Sequence, residues 1–160
     1  MEFIEEQRIW LGGFDEGIEI VVNKVYDDIT RTMQDQTWDQ DFKGTLSIRA
    51  GCMQLKQPAF YSSLGALRVL RKGLEECTRS LTGKAVFEQA YETDFTFQVE
   101  MLSQGHATIT GSYQEQGPSS NQLSFQIKSD QTYLKQAICD LKRFEQTLQD
   151  PTQHSVHSDS

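Results

Sequence analysis

Runs in which apolar and polar residues alternate occur in both halves of this 160-residue chain, and they predict half-buried antiparallel strands. Near residue 17, Ile18, Ile20 and Val22 fall on one face of such a strand. A second run covers residues 42–48, and an extension of the same strand past Gly51 to residue 55 fits the pattern.

The second half of the chain predicts a meander of short strands. Its four runs begin at Ala85, Phe95, Ala107 and Leu123. Since the intervening polar segments are short and rich in turn residues, we expect neighbouring strands to pair antiparallel.

Two stretches change to a period of three to four residues, which is typical of amphipathic helices. The first follows Pro58 with an apolar stripe and is predicted to end at Gly83. The stripe consists of Phe60, Leu64, Leu67, Leu70, Leu74, Cys77 and Leu81. Arg71 lies beside it and should be solvated. In the second helix, Asp130 is the expected N-cap and Pro151 marks the end.

These elements predict an α+β fold, with a twisted antiparallel sheet of about six strands and two amphipathic helices packed on one face. We expect residues 1–150 to form one domain and residues 151–160 to form a disordered polar tail. The sequence shows no internal repeat. All three cysteines are expected to be reduced packing residues.

Negative charge is concentrated at the start of the chain. Residues 1–41 contain eleven acidic and three basic side chains, which gives a net charge of -8, whereas the remaining residues are balanced. A nucleic-acid-binding protein normally has the opposite sign. No long apolar run predicts a membrane span, and the acidic N-terminus does not resemble a signal peptide, so we expect a cytoplasmic protein.

Catalytic and metal-binding motifs are absent from the sequence. It lacks the serine-hydrolase elbow, the P-loop, the zincin helix and the dinucleotide fingerprint. Asp39 and Asp41 begin a segment that resembles a calcium-binding loop, but Lys43 stands at the third ligand position and Ala50 at the twelfth. We therefore predict a protein that is not an enzyme and needs neither cofactor nor metal.

A concentrated negative surface suits an inhibitor that binds a positively charged protein. Nucleases have basic clefts that bind phosphate, so they are natural targets. Trp38, an aromatic side chain among acids, is typical of an interface centre, although it also fits a core residue that covers a sheet edge. A solvated face that keeps the protein soluble is the alternative role of the acids. The predicted contact residues are Asp27, Asp28, Asp35, Trp38, Asp39 and Asp41.

Five segments of residues 42–148 together resemble the WapI-type family of bacterial immunity proteins. They are Leu-Thr-Gly-Lys-Ala-Val-Phe-Glu from Leu81, Phe-Thr-Phe-Gln-Val-Glu from Phe95, Gly-His-Ala-Thr-Ile-Thr-Gly from Gly105, Asn-Gln-Leu-Ser-Phe-Gln-Ile from Asn121 and Asp-Gln-Thr-Tyr-Leu from Asp130. The resemblance implies an antidote that binds the C-terminal domain of a cognate toxin in the cytoplasm. Such toxins belong to polymorphic or contact-dependent growth inhibition systems and are often nucleases.

Two other functions compete with this interpretation. One is a small non-catalytic ligand-binding or regulatory domain, which requires polar groups that converge in an apolar pocket. The other is a metal-dependent hydrolase that uses the N-terminal acids.

Overall fold

The computed structural model describes residues 2–26, 40–89, 94–118 and 120–149, and the predicted tail 151–160 lies outside this part of the chain. The described residues form two four-stranded antiparallel sheets and two α-helices. In chain order the elements are β1 (Glu2–Gly12), β2 (Gly17–Val25), β3 (Asp41–Ala50), β4 (Met53–Ser63), α1 (Leu64–Ser80), β5 (Lys84–Glu88), β6 (Phe95–Met101), β7 (His106–Gln114), β8 (Gln122–Asp130) and α2 (Gln131–Gln149).

The α+β class is confirmed, but the prediction of a single sheet of about six strands is wrong. Strands β1–β4 form the first sheet and β5–β8 form the second, each in sequential order. Each sheet is followed by one helix, so the order of elements repeats although the sequence shows no repeat. The repetition is therefore one of architecture.

Irregular pairing explains why β1 was not predicted. The register between β1 and β2 shifts between Phe3 and Gln7. As a result, Ile4 and Ile9 are both buried although they are five residues apart, a spacing that breaks the period of two.

A hairpin explains the second missing strand. Residues 51–52 form a turn in which Gly51 has a φ of 60°, and the chain reverses into β4 instead of extending β3. Pro58 lies within β4, which is tolerated because β4 is an edge strand. The register shifts at this point, and Phe60, which we expected on the helical stripe, is a buried residue of the strand.

Both helices have capping side chains at their N-termini. The Ser63 hydroxyl accepts a hydrogen bond from the amide of Ala66 (3.1 Å) at the start of α1. Asp130 Oδ1 accepts from the amides of Thr132 (2.9 Å) and Tyr133 (3.1 Å), which confirms the predicted N-cap of α2. Leu81, and not Gly83, is the left-handed C-cap of α1.

The helices connect the two halves of the molecule. Helix α1 follows the first sheet but packs mainly against β5, and α2 follows the second sheet but packs mainly against β1. Arg71 of α1 donates hydrogen bonds to Glu145 of α2 (2.8 Å) and to Glu75 (3.0 Å). The Arg71 side chain is mostly buried between them, contrary to the expectation that it is solvated.

One hydrophobic core spans both sheets. Edge-to-face contacts run from Phe42 to Phe60 and from Phe60 to Phe95, with ring centroids 6.1 and 5.9 Å apart. Phe95 belongs to the second sheet, and it also contacts Phe87 and Phe97. These aromatic contacts make a shared interior between the two halves.

The cysteines do not all have the predicted role. Cys77 is buried in α1, and burial raises the pKa of its thiol. Cys52 and Cys139 are exposed, so the prediction that all three are packing residues is wrong. All three are free thiols.

Candidate partner-binding surface

The structure describes only one of the six residues that the sequence predicts as a contact surface. Asp41 is the first residue of β3. The other five lie in the segment 27–39, outside the described residues, and their role stays a prediction: Asp27, Asp28, Asp35, Trp38 and Asp39.

The residues at the two ends of the segment 27–39 are fixed side by side. The Tyr26 amide donates a hydrogen bond to the carbonyl of Asp41 (2.8 Å), and the Leu64 amide donates one to the carbonyl of Gln40 (2.8 Å). Asp41 is half-buried, and its Oδ1 atom is buried without a hydrogen-bond partner among the described residues. The segment therefore leaves and rejoins the sheet next to the start of α1.

An exposed aromatic side chain lies beside these ends. Tyr61 of β4 is 47% exposed, and its ring centroid is 6.4 Å from that of Tyr26. Lys43 Nζ is 5.6 Å from the Tyr61 ring centroid, within the range of a cation–π contact. Gln89 Nε2 donates to the carbonyl of Tyr61 (2.9 Å), which connects this strand to the end of β5.

An apolar groove of about 610 Å³ continues from this point between α1 and β5. It contains the two exposed valines Val69 (63% exposed) and Val86 (40%). Gly65 and Ala66 also line it, and Ser63, which pairs with Asp41, lies at the end nearest the acidic segment. The groove and Tyr61 thus adjoin the base of the predicted contact segment.

Sequence reasoning missed both valines of the groove, although each leaves a signal. Val69 is apolar but lies off the buried stripe of α1, which is formed by Leu64, Leu67, Leu70, Leu74 and Cys77. Val86 lies between the buried residues Ala85 and Phe87, so it faces away from the core. An apolar residue on the polar side of an amphipathic element is the pattern that identifies such a surface.

The outer face of the first sheet is also rich in aromatic and charged side chains. Trp10, Glu19, Ser47 and Lys56 form one row across its four strands. Arg8 lies over the Trp10 ring, 5.5 Å from its centroid, and pairs with Glu19. Trp and Arg are enriched at the centres of protein interfaces.

Among the described residues, the structure shows no complete site for either alternative function, the small ligand-binding domain or the metal-dependent hydrolase. A cleft of about 310 Å³ lies between β4 and the connection from β7 to β8. Its volume is at the lower limit for ligand pockets. It is half polar, with Gln57 Nε2 donating to the Tyr113 hydroxyl (2.9 Å). In the described ranges, no group of three or more His, Cys, Asp or Glu side chains is placed to hold a metal ion. None of the helices there is long and apolar enough to cross a membrane.

The comparisons with known proteins identify a family for most of the chain. Residues 11–148 match the family described as the immunity protein WapI-like family. The resemblance noted in the sequence covered residues 42–148, whereas the family match starts at residue 11. The match therefore also includes β2 and the acidic segment. No curated protein and no solved structure matches this chain.

Proposed function

Because this chain belongs to the WapI-like immunity protein family, we propose that it neutralises a cognate bacterial toxin domain by binding it, without catalysing a reaction. We further propose that the toxin domain is a basic nuclease. An immunity role follows from the family, and the chemistry of the target is inferred from the charge of this chain.

The observation that carries the proposal is that the residues flanking the acidic segment are fixed beside an exposed aromatic and apolar surface. Residues 27–39 contain four aspartates and one arginine, a net charge of -3. Their flanking residues are fixed next to Tyr61 and the groove that holds Val69 and Val86. Protein interfaces typically have an apolar centre and a polar rim, and charge complementary to that of the partner speeds association.

Each part of this surface has a separate physical task. Carboxylates accelerate encounter with a basic cleft and occupy the positions of substrate phosphates. Tyr61 and the valines bury apolar area after docking, which slows dissociation. The two contributions are therefore separable in a kinetic experiment.

The charge contribution is tested by measuring association with the toxin domain encoded beside this gene, in inactivated form, over a series of salt concentrations. In the test variant, Asp27, Asp35 and Asp39 are changed to Asn. We expect association to slow about tenfold at low salt, with a smaller effect at high salt. The matched control changes Glu76, Glu100 and Glu115 to Gln, which alters the net charge equally at positions outside the first sheet. Equal effects of both variants would contradict a contact role for the segment.

The groove is tested with Val69→Lys. Val69 is 63% exposed, so stability should change by less than about 0.5 kcal/mol. Dissociation of the complex should accelerate at least about tenfold, and protection of bacteria that express the active toxin should weaken. Lys72, also on the exposed side of α1, provides a control as Lys72→Ala. An unchanged dissociation rate for Val69→Lys would remove the groove from the interface.

A further inference from the structure

Phe14 lies at the tip of the turn between β1 and β2, and its side chain is 91% exposed. This is the highest value among the exposed large hydrophobic residues that the structure describes. Its neighbour Asp15 is exposed too, and Glu16 is half-buried. The tip thus presents one aromatic ring with carboxylates beside it.

The turn that holds Phe14 is rigidly fixed. The Gly13 amide donates to the carbonyl of Glu16 (2.7 Å), and Trp10 Nε1 donates to the carbonyl of Gly13 (2.9 Å). The buried Ser129 hydroxyl donates to the carbonyl of Gly12 (2.6 Å), which ties the turn to the second sheet. The exposed side chains of Phe14 and Asp15 take no part in these hydrogen bonds.

A second turn supports the first one. The Gly51 amide, between β3 and β4, donates to Glu16 Oε1 (2.5 Å). Met53, the first residue of β4, is 53% exposed at the same end of the sheet. The hydrogen-bonded pair of turns fixes the backbone that carries Phe14, which reduces the backbone entropy lost when a partner binds.

Folding gives no reason for an aromatic residue at this position. Turns favour Gly, Asn, Asp, Ser and Pro, and Phe14 buries almost none of its ring in the folded chain. Aromatic residues are, in contrast, enriched at the buried centres of interfaces. A rigid, exposed phenylalanine is therefore suited to fill a pocket of another protein.

We propose that Phe14 is an anchor that inserts into an apolar pocket of the toxin domain, with basic residues of the toxin opposite Asp15. This inference rests on the proposed function, because it uses the same partner. The charge supports it, since the net charge of -8 is contained in residues 1–41, which include this tip.

The anchor lies at the opposite end of the first sheet from Tyr26 and Asp41, near the two ends of the segment 27–39. The nine residues of β2 separate the two regions by about 30 Å. A toxin domain of about 100 residues has a radius of gyration near 13 Å, so it is long enough to contact both ends when it lies along the outer face of this sheet. Trp10, Arg8 and Glu19 are on that face between them.

The experiment measures dissociation of the full-length protein from the inactivated toxin domain for Phe14→Ala and Phe14→Leu. We expect Phe14→Ala to raise the dissociation constant about 30-fold through faster dissociation, with Phe14→Leu in between. The salt dependence of the association rate should be the same for Phe14→Ala as for the wild type. The variant with Asp27, Asp35 and Asp39 changed to Asn should, in contrast, have a weaker salt dependence. Leu102→Ala, which removes a 44% exposed apolar side chain near the second sheet, is the matched control and should have no effect.

The outcomes separate this inference from the proposed function. Tight binding by the wild type with no change for Phe14→Ala would overturn the anchor and leave the immunity role intact. Absence of binding by the wild type would overturn both. A wild-type dimer that Phe14→Ala dissociates, seen by sedimentation, together with unchanged toxin binding, would assign Phe14 to self-association and overturn the proposal. The thermal midpoint should be equal for all variants, since these side chains are exposed.

Discussion

The two halves of the molecule share an order of elements but differ in regularity and in surface. In the second sheet all three ladders pair without a register shift. In the first sheet every ladder contains one. The first half also carries the whole net charge in its opening residues. The regular half is suited to be a scaffold, and the irregular half presents most of the candidate contacts, with Val86 of β5 as the exception.

The outer faces of the two sheets show the same difference. Three rows cross β6, β7 and β8 without an aromatic residue: Thr96, Ser112 and Ser124; Gln98, Thr110 and Gln126; and Glu100, Thr108 and Lys128, of which only the last is charged. The first sheet has Trp10 and charged residues at comparable positions. Alternation with uncharged polar residues gives a solvated face, whereas Trp and Arg are typical of a face that binds a partner.

The largest effect is expected where the halves join. Phe95 is fully buried and contacts Phe60 of the first sheet. Phe95→Ala should lower the free energy of unfolding by about 4 kcal/mol because it removes apolar contacts and leaves a cavity. Urea unfolding followed by hydrogen exchange tests whether the halves are independent. A loss of protection confined to β5–β8 would show that they unfold separately.

A smaller effect is expected at the ionic contact between the helices. Arg71→Met leaves the mostly buried Glu145 without its partner, and it should destabilise the protein by about 2 kcal/mol. The exposed pair of Arg79 and Glu76 provides the control, since Arg79→Met should change stability by less than about 0.5 kcal/mol. Denaturant midpoints measure both. Equal midpoints for the two variants would mean that burial of the Arg71 pair contributes nothing.

The same contact predicts a dependence on pH. Burial alone would raise the pKa of Glu75, but Lys142 and Arg71 lower it below the ordinary value of 4.5. A carboxyl with a lowered folded-state pKa stabilises the protein above its unfolded-state pKa, and this contribution is lost as pH falls through the folded-state value. Glu75→Gln should therefore be less stable than wild type at pH 7, with the difference shrinking in acid. A constant difference from pH 7 to pH 3 would refute the assignment.

The smallest effect on stability is expected on the outer faces, where the two halves should differ in binding. Ser47→Arg and Ser112→Arg each change a half-buried serine in a middle strand, and both should alter stability by less than about 0.5 kcal/mol. If the toxin lies along the first sheet, only Ser47→Arg weakens its binding. Calorimetric titration with the inactivated toxin distinguishes the faces, and equal affinities would exclude that placement.

The regularity of strand pairing also determined how much of the fold could be predicted from the sequence. The strands of the second half, the Asp130 cap and the strand from residue 17 were predicted because alternation and capping are local signals. β1 was not, since a bulge moves successive apolar residues off a common face. β4 was not, since the chain reverses at Gly51 where the pattern also fits an extension of β3. The position of Val69 was readable in principle as an apolar residue off the stripe of α1, whereas the partnership of Arg71 with Glu145, 74 residues away, was not.

The sequence by itself determined the α+β class, the start of α2, the family resemblance and the acidic character of the first 41 residues, because each depends on local pattern or composition. Only the tertiary structure decided that there are two sheets, that each helix packs mainly on the other half, and that Tyr61, Val69 and Val86 adjoin the base of the acidic segment. It also showed that the turn that carries the exposed Phe14 is tied down by hydrogen bonds from the distant residues Ser129 and Gly51. These features arise from contacts between residues far apart in the chain, and no local pattern specifies which distant partner a side chain meets.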